Sequence, residues 1–211
     1  MNGAANQVPA SPPRPRRQPW FWIVGGIVVA AAVVIAILSG SRTTVTPAED
    51  SAEAGFARDM ITHHEQAVEM ALLVRDRTGE PLVRSFATDI ILTQTNQMGQ
   101  MMGWLDVWGL PLTGLDRPMT WMGHGGLPMP GLASSAELAE LSNLAGAEAE
   151  VLFLQLMSRH HLGGIPMAQA ILEQSEHPVT SRLATSIINA QRNEVDIMAE
   201  MLAERGAEPL E

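Results

Sequence analysis

The stretch FARDMITHHEQAVEMA, Phe56 to Ala71, returns as FLQLMSRHHLGGIPMA, Phe153 to Ala168, at an offset of 97. The register then holds without a gap. Pro81 falls on Pro178, Ala87 on Ala184, Ile90 on Ile187, Gln94 on Gln191, Asn96 on Asn193, Met101 on Met198, Leu105 on Leu202 and Gly109 on Gly206. Chance does not keep one register over two helices and their turn, so the chain carries two tandem copies of one helical hairpin.

Local signals place the helices. Thr46-Pro47-Ala48-Glu49 reads as a capping box with proline at the first helical position. From there a helical pattern runs to about Arg77 and stops at Thr78-Gly79. A second helix runs from about Pro81 to Trp108 and ends at Gly109. Ser134-Ser135-Ala136-Glu137 is another capping box and starts a short helix before the second copy. One amphipathic hairpin cannot bury its apolar face alone, whereas two packed face to face can. The expected fold is all-α: a four-helix bundle over residues 47–206. Repeat 1 covers about 47–109, a Met/His loop about 110–134, and repeat 2 about 147–206.

A seam with alternating steps of four and three runs through the first helix of each copy. It reads Phe56, Met60, His63, Ala67, Met70, Val74, and then Phe153, Met157, His160, Gly164, Met167, Ile171. This is the core-facing stripe, so His63 and His160 point inward, with His64 and His161 flanking them. The second helices give Ala87, Ile90, Gln94, Gln97, Met101, Trp104, and Ala184, Ile187, Gln191, Glu194, Met198, Met201. Antiparallel packing about the hairpin turn sets the histidines level with Gln94, Gln97, Gln191 and Glu194. One turn further from the bend, Met60 meets Met98, Met101 and Met102, and Met157 meets Met198 and Met201.

The His-His pairs admit two readings. Gln and Glu in the same layer can satisfy both nitrogens of a buried imidazole, in which case the layer only fixes register. Alternatively, imidazole and thioether are metal ligands. The ferritin-type Glu-x-x-His pattern is absent, and thioether plus imidazole without thiolate favours copper, Cu(I) above all, with zinc on the histidines as the alternative. Met119, Met122, His124 and Met129 lie in a Gly/Pro-rich loop with no helical period. They either capture a soft metal or pack over the open end of the helices with Trp121.

Charge and hydropathy bound the rest. Cysteine is absent, which excludes disulfides, thiolate zinc sites and iron–sulfur clusters. After Arg42, nine arginines face all 23 acidic residues, and so acidic a body does not suit nucleic acid. Residues 1–19 are Pro-rich and polar and read as a disordered cytoplasmic tail. Trp20 to Leu38 carries no charge and is long enough to cross a bilayer, with Trp20 and Trp22 where an aromatic belt would sit. Arg14, Arg16 and Arg17 precede it. The expectation is a single-pass anchor, a linker over 39–46 and an extracytoplasmic C-terminal domain, a cleaved signal being the alternative. No nucleophile elbow, phosphate-binding glycine loop or H-E-x-x-H motif is present, so any catalysis would be metal redox chemistry.

The paired M-x-x-H-H…M-A motif, Met60 to Ala71 and Met157 to Ala168, with the loop ending Met129-Pro130-Gly131, resembles the bacterial domain-of-unknown-function family 305 over about residues 48 to 206. The resemblance implies a duplicated two-helix unit of the ferritin-like superfamily, secreted or membrane-anchored, with copper binding and copper resistance attached to some members. This chain departs from it in having Gly163-Gly164 and Pro166 where the first copy has Gln66-Ala67 and Glu69. A proline there is expected to kink or bulge the helix beside His161, making the two halves inequivalent.

Overall fold

The structure is a computed structural model. It describes residue 24, residues 26–31 and residues 46–210, and it divides into one unit up to Val45 and another from Thr46 onward. The described residues of the first unit are helical and exposed. The apolar run from Trp20 to Leu38 otherwise lies outside the described residues, as do the tail and most of the linker. Among the described residues, no helix is long and apolar enough to cross a membrane.

In the second unit the described residues are all-helical, without a strand: α1 (Ala52–Arg75), α2 (Pro81–Trp108), a 3-10 turn (Thr120–Met122), α3 (Ser135–Asn143), α4 (Gly146–Gln174) and α5 (Pro178–Glu204). Helix α2 starts and stops where its signals predict, with Pro81 first and Gly109 in the left-handed conformation closing it. Ser134 and Glu137 make the reciprocal capping box of α3. The start of α1 is a correction. Ser51, not Thr46, caps it, its hydroxyl accepting from the Ala54 N–H at 3.2 Å. A serine closer to the apolar period outcompetes a Thr-Pro pair five residues earlier.

Helix α1 packs on α2, α4 packs on α5, and α1 packs on α4. The α1/α4 pair runs antiparallel, which follows from two hydrogen bonds related by the repeat. The Thr78 hydroxyl, at the first hairpin turn, donates to Glu150 Oε1 at 2.5 Å. The Ser175 hydroxyl, at the second turn, donates to Glu53 Oε1. Each copy thus lends its turn to the N-terminal part of the other's first helix. Arg205 adds two bonds to Glu150 Oε2, at 3.0 and 3.1 Å.

Antiparallel crossing gives the interior two apolar clusters rather than one. The first joins Phe56, Met60, Met101 and Leu105 of repeat 1 to Met167, Ile171 and Leu183 of repeat 2. The second joins Met70, Val74, Val83 and Ile90 of repeat 1 to Phe153, Met157, Met198 and Leu202 of repeat 2, with Leu141 of α3. Each fully buried Phe or Met side chain contributes about 1.5–3 kcal/mol of hydrophobic stabilisation. The sequence between the two clusters on α1 and α4 is the histidine pair.

Candidate metal centre

All four histidines of the repeated motif are fully buried, at 0% exposure. His63 and His160 meet where α1 crosses α4, their ring centroids 3.8 Å apart. His64 and His161 lie beside them, 6.5 and 6.1 Å from their sequence neighbours. The layer predicted from the seam is present. His64 Nε2 bonds Gln97 Oε1 at 2.7 Å, and at the repeat-equivalent positions His161 Nε2 bonds Glu194 Oε2 at 2.6 Å. Gln94 and Gln191 are both 3% exposed. A Cβ at Gly164 would stand 2.7 Å from Gln191 Oε1 and 3.2 Å from His63 Cε1, so glycine there leaves room for the amide beside the ring.

The inner pair breaks the symmetry. His160 donates from Nε2 to the carbonyl oxygen of His63 at 3.0 Å. His63 donates not to His160 but to the carbonyl oxygen of Pro130, also at 3.0 Å. The connecting loop makes the difference. Gln66 clamps it with both ends of its amide, donating to Ala133 O at 2.9 Å and accepting from Ala133 N at 2.7 Å. At the repeat-equivalent Gly163, an added Cβ would lie 2.2 Å from Pro130 O. Gly131, at φ 78°, lies against the Arg159 and His160 carbonyls in a way no side chain permits. Gly163 is therefore a seat for the loop. Helix α4 runs unbroken through Pro166, whose side chain is exposed. Further along, Asp59 Oδ2 accepts from the Met119 N–H at 2.7 Å and the Trp121 Nε1–H at 2.8 Å, and burial raises its pKa despite these bonds.

Four Nε2 atoms thus face oxygen. Carbonyl and carboxylate oxygens only accept, so Nε2 carries a proton. All four Nδ1 atoms are buried with no hydrogen-bond partner. Burial, first of all, lowers the pKa of His63 to about 4 and of His64 to about 3, and pushes His160 well down. His63, His64 and His160 are therefore neutral at neutral pH, and with Nε2 protonated their Nδ1 holds a free lone pair, the state a metal requires. An imidazole whose second nitrogen donates to oxygen is also the usual geometry of a metal-bound histidine. Among the described residues, no three His, Asp or Glu side chains converge as a ready metal cage. The inner rings, tilted 38° to one another, would have to turn, or thioethers would have to complete the sphere.

The methionines divide between the two ends. Met60 and Met101 are fully buried in the first cluster, with Met98 and Met102 half-buried against it. Met157 and Met198 are buried in the second, with Met201 at its edge. Of the loop residues, Met119 and Met129 are core, 1% and 7% exposed, in the cluster that Trp121 covers. Phe56 meets Trp121 edge to face at 5.8 Å. Met122 is half-buried there, while His124 is exposed. The sequence reading missed Asp59, Gln66 and Pro130. The contrast of Gln66 with Gly163 was the available signal, since one loop crossing both copies needs a clamp on one and a gap on the other.

Comparison with known proteins agrees with this architecture. A protein from Streptomyces coelicolor, described as secreted and of the same domain type, is 52% identical, with a TM-score of 0.75 over 78% of this chain and 99% of that one. A fragment from Deinococcus radiodurans is 37% identical, with a TM-score of 0.64 over 75% and 99%. CopM in its Cu(I)-bound form shares the fold at 21% identity, with a TM-score of 0.55 over 73% and 96%. The chain spans about half the length of the curated relative it matches, an uncharacterized protein of Acanthamoeba polyphaga mimivirus, at 29% identity over 80 residues. The model of the domain of unknown function DUF305 matches residues 53–202, and the chain belongs to that family.

Proposed function

We propose that this chain is an extracytoplasmic protein that sequesters or hands on copper, with Cu(I) favoured and zinc second. The observation that carries the reading is the set of four buried, unpartnered Nδ1 atoms. Leaving one buried polar atom unsatisfied costs about 1–3 kcal/mol, and a purely structural layer has no reason to do so four times. The ligands are His63, His64, His160 and His161. Thioethers from Met60, Met98, Met101 and Met102 serve at one end, and from Met157, Met198 and Met201 at the other. Gln94, Gln97, Gln191 and Glu194 orient the rings. Met119, Met122, His124 and Met129 of the loop are secondary candidates, with exposed His124 the first to meet an arriving ion. Copper is cargo here, bound by soft and borderline donors in a site of low polarity.

Two relations support the reading. CopM, which shares the fold, is known in Cu(I)-, Cu(II)- and silver-bound forms. The secreted description of the Streptomyces relative suits a domain placed outside the membrane by an anchor over residues 20–38. A ferritin-like four-helix unit made by tandem duplication fits both. One observation favours a second reading, a structural module with a His/Gln layer: every Nε2 of the four is already bonded and the inner rings lie in contact.

The test is a Cu(I) titration of the full chain under reducing conditions against a chromogenic chelator. Binding tighter than about micromolar, lost in the His63→Ala/His160→Ala variant with helicity retained, is the expected result. Weaker binding, or binding indifferent to those residues, favours the structural module.

A further inference from the structure

One end of the second unit exposes apolar side chains that its core does not use. Leu115 is 93% exposed and Val107 83%, the two most exposed large apolar side chains among the described residues, and Leu112 is 56% exposed. Single leucines scattered over a surface need no explanation. These three fall together, on the last turn of α2 and the segment that follows it. Trp104 and Trp108 lie half-buried at the same end of α2, their ring centroids 6.1 Å apart.

That segment is tied to the start of the unit. Arg58 donates from Nε and Nη2 to the Pro111 carbonyl oxygen, at 3.0 and 2.9 Å. The same guanidinium donates to the Glu49 carbonyl oxygen at 3.2 Å and to Glu49 Oε2 at 2.9 Å. A Cβ at Gly114 would lie 2.8 Å from Arg58 Nη1, so the segment packs against the guanidinium. The backbone that carries Leu112 and Leu115 is thus held beside Glu49, close in sequence to Thr46.

The chain before Thr46 limits what this end can face. Fully extended, the linker over 39–46 spans at most about 30 Å. An anchor over residues 20–38 would keep Glu49 and the segment tied to it near the bilayer. The opposite end, where Leu82 opens α2, is about 40 Å away along that helix. At a lipid–water boundary leucine and valine leave water, and tryptophan buries its ring while its N–H stays wet. Exposed charges close in sequence are mostly acidic, Asp50, Asp106 and Asp116 against Arg117, so attraction to anionic headgroups is not the driving force.

Resting on the anchor reading above, we propose that the end of the bundle bearing Val107, Trp108, Leu112 and Leu115 inserts into the surface of a lipid bilayer. The contact is apolar, and it gives the helices one orientation on the membrane.

The experiment uses the full chain in phosphatidylcholine vesicles. Cysteine is absent from the sequence, so single nitroxide labels at Val107→Cys, Leu112→Cys, Leu115→Cys and, at the far end, Leu82→Cys report without background. Electron paramagnetic resonance compares accessibility to oxygen, which concentrates in lipid, with accessibility to a nickel chelate, which stays in water. The oxygen-to-nickel ratio is expected to be at least threefold higher for the labels at Leu112→Cys and Leu115→Cys than at Leu82→Cys. Adding Leu112→Ser and Leu115→Ser to Val107→Cys should bring its ratio down to the far-end value. All four labelled positions are exposed, so the substitutions spare the core. Equal ratios at all four, in protein that alkaline washing leaves in the vesicles, overturn the proposal alone. A raised ratio that appears only with phosphatidylglycerol present does so too. Labels shielded from both reagents and broadened by each other would assign this end to a second copy of the chain and overturn it as well. Protein released by alkaline washing overturns the anchor reading and this one together.

Discussion

His160 donates its Nε2–H to the main-chain carbonyl oxygen of His63 at 3.0 Å, across 97 residues of sequence, and their rings lie 3.8 Å apart. A side chain of α4 reaching the backbone of α1 requires the two helices to approach closely at this level, where Ala67 and Gly164 follow the histidines. The equivalent bond from His63 to His160 is missing because the Pro130 carbonyl has taken its place. A duplicated unit thus acquires one asymmetric feature at its centre, and the connecting loop supplies it.

Acid should destabilise the metal-free protein in a defined window. His63 falls from 6.5 to about 4 and His64 to about 3, mainly through burial. A lowered pKa in the fold means that the unfolded chain binds more protons between those values. Stability is therefore complete above about pH 6.5 and is lost as the pH falls toward 4 and then 3. At pH 5 each such histidine should cost about 2 kcal/mol. Urea midpoints at pH 7.5 and pH 5 measure this. A midpoint unchanged between them would show that the rings are not buried neutral.

The loop seat gives a prediction about glycine. Gly163→Ala drives a Cβ to 2.2 Å from Pro130 O, so the loop must lift and His63 must lose its acceptor. The expected loss is about 2–3 kcal/mol, with faster hydrogen exchange across residues 129–133. Gly103→Ala, at an exposed helical position toward the C-terminal end of α2 with nothing within 4 Å, should instead stabilise by about 0.5–1 kcal/mol. Opposite signs from the same chemical change isolate the contact as the cause.

The two turn-to-helix bonds should differ in weight. Glu150 is buried and serves both Thr78 and Arg205, so Glu150→Ala orphans a hydroxyl and a guanidinium and should cost about 3 kcal/mol or more. Glu53 is half-buried and serves the Ser175 hydroxyl, so Glu53→Ala should cost about 1 kcal/mol. Denaturant unfolding of the two variants checks the order. Equal losses would mean that Arg205 contributes nothing.

The fold was legible because its signals are periodic. The 97-residue offset, the a/d seam of Phe56 to Val74 and the start and stop of α2 need only local rules, and the polar layer follows from counting outward from the hairpin turn. What was not legible depends on the non-repeated segment. Pro130 reaches His63 through loop geometry that no period encodes, and Met119 and Met129 are buried because Asp59 ties down the loop that carries them. Gly163, read alone, shows only a departure from the first copy. Only with the loop crossing over it does it become a fitted surface. The start of α1 went wrong because two good capping sequences stand five residues apart, and packing chooses between them.

Nitrogen-15 resonances of the histidine rings, recorded before and after addition of Ag(I), report directly on which nitrogen meets the metal. With Nε2–H held by Pro130, Gln97, His63 and Glu194, the Nδ1 resonances of motif histidines should shift and couple to silver while Nε2 stays protonated. Silver coupling at Nε2, or four unchanged Nδ1 resonances in protein saturated with silver, would contradict the assignment of these lone pairs to metal.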